Sequence, residues 1–102
     1  MTTATDVKLD EKIKKVVKEP PRYKVILLND DQTPMEWVIS ILTEIFKHSQ
    51  ESAEQITMTI HTEGRGVVGT YSYEIAEQKV TETVNLSRNH GYPLQVNLEE
   101  DK

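Results

Sequence analysis

The run Tyr23-Lys24-Val25-Ile26-Leu27-Leu28 leaves this chain the fewest options. It is short, rich in β-branched residues and almost unbroken in apolar character, which fits a central strand covered on one face and partly on the other. It leads directly into Asn29-Asp30-Asp31-Gln32-Thr33-Pro34-Met35-Glu36, which joins it to an apolar-periodic segment beginning at Met35. Half of that joint reads as helix punctuation. Thr33 is the N-cap, Pro34 takes the first helical position where its missing N–H costs nothing, and Glu36 reaches back to complete a capping box. The other half is over-supplied: one Asx turn needs one Asp or Asn, and Asn29-Asp30-Asp31 offers three.

Beyond the joint, Met35, Val38, Ile39, Leu42, Ile45 and Phe46 recur at helical spacing and make the main core stripe. Ser49 is placed to cap a second helix, with Glu51 and Glu54 in the first turn, where the dipole favours acids. Its stripe is Ala53, Ile56, Thr57 and Ile60. Thr57 is the polar intruder, and His61 lies one turn beyond it, so Thr57, Ile60 and His61 share a side facing one cavity. Gly64-Arg65-Gly66 ends that helix, and Val67 to Tyr71 reads as a strand whose Gly69 permits a bulge or a close backbone approach. Ser72 caps a third helix with the stripe Ile75, Ala76, Val80, Val84 and Ser87, which stops at Gly91 before Pro93. Leu94, Val96 and Leu98 then alternate with Gln95, Asn97 and Glu99, a strand with one buried face. The order β-α-α-β-α-β predicts a small two-layer α/β sandwich of the α+β type, with three mainly antiparallel strands and three helices on one face.

Composition narrows what such a fold can do. The chain has 102 residues and no cysteine, which rules out disulfides, thiolate catalysis and Cys-ligated zinc and leaves a cytosolic compartment unopposed. No apolar run approaches the roughly 18 residues of a membrane span, and Met1 to Val17 lacks the build of a signal peptide, so a soluble, unprocessed protein is expected. Residues 1–21, ending in Pro20-Pro21, read as a flexible N-terminal extension, and residues 22–102 as the core domain. Within the extension Leu9, Ile13, Val16 and Val17 are spaced for a short amphipathic helix against a partner. The extension carries five Lys against four acids, whereas residues 22–102 carry seven basic against thirteen acidic residues. An acidic domain repels phosphate backbones and suits a cationic ligand.

The polar joint supplies that ligand's chemistry. The carboxylate of Asp30, the amide oxygen of Asn29 and the imidazole of His61 all accept hydrogen bonds and suit an ammonium group. Met35, Val38, Ile60 and Leu94 are the apolar residues nearest to them in the predicted order. An ammonium site beside an apolar hole describes the start of a polypeptide, where the α-amino group and first side chain leave one carbon. Other readings of the same residues remain open. Asn29, Asp30, Asp31 and His61 could gather around Mg²⁺ or Mn²⁺, Asp30 and His61 could serve as an acid–base pair, and the domain could be a scaffold without a pocket. His61 alone also reads as a helix-end imidazole favoured by the dipole.

The motif Asn29-Asp30-Asp31-x-Thr33-Pro34-Met35-Glu36 after a hydrophobic strand resembles the signature of the ClpS family. So do His61 closing the second helix, Tyr73-Glu74-Ile75-Ala76-Glu77-x-Lys79-Val80 opening the third, and Pro93-Leu94 before the last strand. The resemblance spans about residues 22 to 99 and implies an adaptor, not an enzyme, that needs no cofactor or metal. ClpS proteins capture Phe, Tyr, Trp or Leu at the N-terminus of N-degron substrates. They deliver these to the N-domain of a ClpA- or ClpC-type AAA+ unfoldase feeding ClpP.

Residue by residue, the resemblance implies that Asn29, Asp30 and His61 bind the α-amino group. Asp31, Thr33, Pro34, Met35, Val38, Thr57, Ile60 and Leu94 would form the rim and lining of the hydrophobic pocket, Met35 excluding β-branched side chains. Glu74 and Lys79 would dock the unfoldase, and the N-terminal extension would be needed for delivery. A monomer in the bacterial cytoplasm is implied, with the plastid stroma as the other setting. Two positions depart from the family. Gln32 replaces an aromatic residue, removing a hydrophobic staple to Trp37 and implying a looser entry loop, and Thr57 replaces a bulkier Met, implying a larger pocket that favours aromatic ligands over Leu.

Overall fold

Strand β1, Arg22–Leu28, lies at the centre of a three-stranded antiparallel sheet of order β2-β1-β3 in the computed structural model of the protein, which describes residues 20–102. The amphipathic stripe from Leu9 to Val17 falls outside the described residues. Helices α1 (Met35–Glu44) and α2 (Gln50–Glu63) follow, then β2 (Arg65–Ser72), α3 (Tyr73–Asn89) and β3 (Gln95–Asp101). This is the expected order of elements.

The burial pattern of β1 shows why it is central. Val25, Ile26 and Leu27 are all fully buried. Val25 and Leu27 point into the main core with Val38, Ile41, Leu42, Ile45 and Phe46 of the α1 segment, Ala53 and Ile60 of α2, Val68, Ala76 and Leu94. Ile26 points the other way, because successive strand residues alternate faces. The pairing register puts Arg65 of β2 opposite Leu28 and Glu99 of β3 opposite Lys24, both on the face of Ile26. Their 3.0 Å ion pair therefore runs diagonally across β1 and roofs Ile26.

Gly69 flanks the bulge foreseen for it. The register slips between Val25 and Ile26, so that β2 carries one extra residue there, Val68, between the partners Val67 and Gly69. The Tyr71 ring also folds back over Gly69, where any Cβ would collide with it. The Val68 carbonyl accepts a 2.6 Å hydrogen bond from Nε2–H of His48, whose Nδ1 meets the Ser52 hydroxyl at 3.2 Å. Accepting at one ring nitrogen and donating at the other, His48 pins the start of α2 to the bulge.

The helix ends agree with the sequence in part. Ser49 caps α2, its hydroxyl accepting from the Ser52 N–H at 3.1 Å, and Gly64 closes the helix in the left-handed conformation at φ 92°. Ser72 occupies the cap position of α3 without a side-chain capping bond. The capping box expected at Thr33 does not form. Pro34 is the N-cap of α1, its carbonyl accepting from Trp37 and Val38, because the Thr33 hydroxyl is already committed to Asp30.

Candidate functional site

The carboxyl end of β1 gathers the residues singled out in the polar joint. The Asn29 N–H donates 2.9 Å to the carbonyl of Gly64, tying the joint to the end of α2, three residues after His61. Leu28 pairs with Gln95, so Leu94 sits at the same end of the sheet. Asn29, Asp30, His61 and Leu94 thus come together although they are far apart in sequence.

Asp30 organises the loop. Its Oδ1 accepts from the backbone N–H groups of Gln32 and Thr33 at 2.8 and 2.7 Å, and its Oδ2 accepts from the Thr33 hydroxyl at 2.7 Å. A carboxylate offers about four acceptor sites, so one on Oδ2 is left for an incoming donor. Burial alone would raise the Asp30 carboxyl. The Thr33 hydroxyl, the two backbone N–H groups and the Arg88 guanidinium outweigh it and hold its pKa below the ordinary carboxylate value. The carboxylate is therefore charged at neutral pH.

These bonds also replace the loose entry loop expected from Gln32. Gln32 is exposed and makes no staple, but Asp30 fixes the loop from within. Trp37 turns elsewhere. Its indole N–H donates 2.9 Å to the Ser87 hydroxyl, and its ring packs on His90 and Tyr92 at centroid distances of 4.4 and 5.2 Å.

The apolar residues divide into two groups. Val38, Thr57, Ile60 and Leu94 are buried, whereas Met35, which opens α1, is 38% exposed. Pro34 and Thr33 are half-buried, and Asp31 and His61 are exposed. Thr57 has a buried hydroxyl without a hydrogen-bond partner, as does Thr83 on α3. A groove of about 310 Å³ lies beside Pro34, lined by Glu36, Trp37, Ser40 and Tyr92.

Glu74 and Lys79 belong to the other end of the molecule, because Ser72, just before α3, pairs with Arg22. Glu74 is exposed and lines a concave surface of about 480 Å³ with Glu77, Gln78, Thr81 and Glu82. Lys79 faces inward instead: its Nζ donates 2.7 Å to the Ile45 carbonyl and lies 5.7 and 5.3 Å from the ring centres of Phe46 and Tyr71. Sequence reasoning missed this role, as it missed Arg88, Ile41 and Thr83. Ile41 and Thr83 carried a helical-spacing signal, whereas Arg88 read as ordinary surface charge.

Among the described residues no group of three His, Cys, Asp or Glu side chains is placed to hold a metal ion. No helix there is long and apolar enough to cross a membrane.

Comparison with known proteins adds the family. Residues 18–97 match the family model described as ATP-dependent Clp protease adaptor protein ClpS. The ClpS adapter of Burkholderia thailandensis is 49% identical over 90 residues, covering 88% of this chain and 86% of that protein. That of Rhodospirillum centenum is 46% identical over 90 residues, covering 88% and 83%. The structure of Agrobacterium tumefaciens ClpS2 bound to L-phenylalaninamide superposes with a TM-score of 0.78 at 38% identity, covering 81% of this chain and 100% of that one. With the fold, the family model and the close relatives in agreement, the chain belongs to the ClpS family of Clp protease adaptors, a family of adaptors and not of catalytic enzymes.

Proposed function

We propose that this adaptor captures polypeptides by a free N-terminal Phe, Tyr, Trp or Leu and hands them to a ClpA- or ClpC-type unfoldase feeding ClpP. The observation that carries the reading is the convergence of Asn29, Asp30 and His61 with Met35 and Leu94 at one end of the sheet. The ammonium meets the remaining acceptor site of Asp30, the Asn29 amide and the His61 imidazole. The first side chain enters past Met35 toward Val38, Thr57, Ile60 and Leu94, with Asp31, Thr33 and Pro34 at the rim. That Agrobacterium tumefaciens ClpS2 binds L-phenylalaninamide, an amino-terminal Phe in miniature, supports this assignment.

Both halves of the ligand are required. Burying a Phe- or Leu-sized side chain yields about 1.5–3 kcal/mol, and each hydrogen bond to a charged group about 1.5–3 kcal/mol. Less the cost of association, two or three such terms give affinity near about 1 μM. An internal Phe has no ammonium and is rejected. Delivery uses Glu74 and the acidic surface beside it as the docking face, with Lys79 holding that face to the end of α1. The residues before Pro20 act as the delivery extension, and the adaptor works as a monomer in the bacterial cytoplasm.

The test is fluorescence anisotropy with dye-labelled peptides that differ only in the first residue and its acetylation. Peptides beginning with Phe, Tyr, Trp or Leu bind, and acetylated or internal-Phe peptides do not. Binding that ignores acetylation, or that survives the double change Asp30→Ala and His61→Ala, would refute the assignment.

A further inference from the structure

Arg88 lies in the last turn of α3, outside every set of residues named for ligand contact. Its Nη1 donates to the carbonyl of Tyr92 at 3.0 Å and to that of Leu94 at 2.8 Å. It thereby closes the turn between α3 and β3 around Pro93, and Leu94, whose carbonyl it holds, is fully packed against the core. Gln95, the next residue, pairs with Leu28, which leads through Asn29 to Asp30. One guanidinium is thus anchored to the backbone of the apolar wall and lies at the same end of the sheet as the acidic loop.

We infer that Arg88 is a positioning residue of the peptide-capture site, holding the Leu94 wall in place with its hydrogen bonds and standing as a cation at the Asp30 end of the sheet. The inference rests on the capture site proposed above and deepens it. The two effects belong together, because a chain start presents an ammonium and a side chain from one carbon, so the acceptor and the wall must keep a fixed separation. A cation that holds the wall's backbone at the acceptor's end of the sheet serves both at once.

The electrostatics agree with the geometry. Arg88 is the cation whose charge helps hold the Asp30 carboxyl below its ordinary pKa. Toward this end also lie Asp31 on the loop, Glu36 on α1, His61 and Glu63 on α2, Arg65 at the start of β2, and His90 and Tyr92 in the turn after α3. Arg65 is paired with Glu99, whereas the charge of Arg88 reaches the Asp30 carboxyl.

Two variants separate charge from clamp. Arg88→Gln removes the charge, and Arg88→Lys keeps it while losing the forked geometry that spans two carbonyls. NMR titration of the Asp30 carboxyl in the ligand-free protein reads the charge effect without any peptide. Its midpoint moves up toward the ordinary carboxylate value in Arg88→Gln and stays at the wild-type position in Arg88→Lys. Affinity for a Phe-initiated peptide falls about 3- to 10-fold in Arg88→Gln and less in Arg88→Lys, the fold-change expected from one or two exposed charge-assisted hydrogen bonds. In Arg88→Gln the loss of binding on acidification also begins at higher pH.

An Asp30 midpoint or a peptide affinity unchanged in folded Arg88→Gln overturns the inference. A lowered melting temperature with both readouts unchanged overturns it equally, since Arg88 would then serve the fold alone. Wild-type protein that binds no Phe-initiated peptide refutes the capture site itself, whereas wild-type binding with an indifferent Arg88→Gln refutes only the role of Arg88.

Discussion

The Lys79 ammonium donates a 2.7 Å hydrogen bond to the Ile45 carbonyl, just past the end of α1. The last carbonyls of a helix have no partner inside it, and a cation there also meets the negative end of the dipole. Phe46 and Tyr71 add their ring faces around the same ammonium. Replacing Lys79 by Met keeps the stem and removes the donor, and is expected to lower stability by about 1–3 kcal/mol. Thermal or urea unfolding checks this. A wild-type melting curve for Lys79→Met would mean that the Ile45 carbonyl does not depend on the ammonium, and any loss of partner docking in this variant should be read against its stability.

Acid should unlock the Asp30 loop. The folded pKa of Asp30 is depressed, so its contribution is present at pH values above the unfolded value of about 3.9 and is lost as pH falls through the lower folded value. The stability difference between wild type and Asp30→Asn is therefore flat from about pH 8 to 5 and vanishes only in stronger acid. Asp30 is only half-buried, so the plateau is small, on the order of 1 kcal/mol. A difference that disappears near neutrality would contradict the assigned bonds.

The two unpaired hydroxyls predict gains rather than losses. Thr83→Val keeps the shape of a fully buried side chain and removes an oxygen without a partner, which is expected to stabilise by about 1 kcal/mol. Chemical denaturation of Thr83→Val and Thr57→Val measures this directly. For Thr57 a second readout is the ligand ranking. If Thr57 lines the proposed pocket, its small side chain leaves room that favours Phe-initiated over Leu-initiated peptides, and Thr57→Met should narrow the gap. Equal affinities in the wild type would sink that reading.

A side chain at Gly69 requires the Tyr71 ring to move. Alanine there drives a Cβ into the Tyr71 ring, which is itself held between Gly69 and the Lys79 ammonium. Overpacking of this kind costs about 1–3 kcal/mol. The double variant Gly69→Ala, Tyr71→Ala should cost less than its two single changes added together. Simple additivity would show that the ring and the glycine do not depend on one another.

Much of this was legible in the sequence because periodicity and punctuation agreed. The alternation Leu94, Val96, Leu98 and the glycine at position 64 each marked a real element or end. Helix phase was read less well. Met35 and Ile75 lie in the apolar stripes but are 38% and 48% exposed, whereas Ile41 and Thr83 are buried. At the start of a helix, packing against a neighbour ends before the hydrophobic pattern does, and only the tertiary fold shows where. The Thr33 capping box failed for a different reason. One hydroxyl had two possible partners, the helix N–H groups ahead of it and a carboxylate three residues behind, and the charged acceptor won.

The site's residues were legible as a set because an over-supplied loop is unusual, but its support was not. Arg88 reaches its carbonyls through a turn that composition does not reveal, and Lys79 reaches Ile45 across 34 positions of chain. Such bonds from basic side chains, local for Arg88 and distant for Lys79, look like surface charge until the fold brings the acceptor to them.

Strand β1 has a direction that matters beyond its place in the sheet. It enters at Arg22, opposite Ser72 and the start of α3, and ends at Leu28 beside the acidic loop, a span of about 20 Å for its seven residues. Pro20 and Pro21 therefore stand at the pole away from the acidic loop, on the side of Glu74. On the capture reading proposed above, the point where the chain enters the sheet and the berth of the first side chain lie at opposite ends, so a pull applied at one does not pry directly at the other.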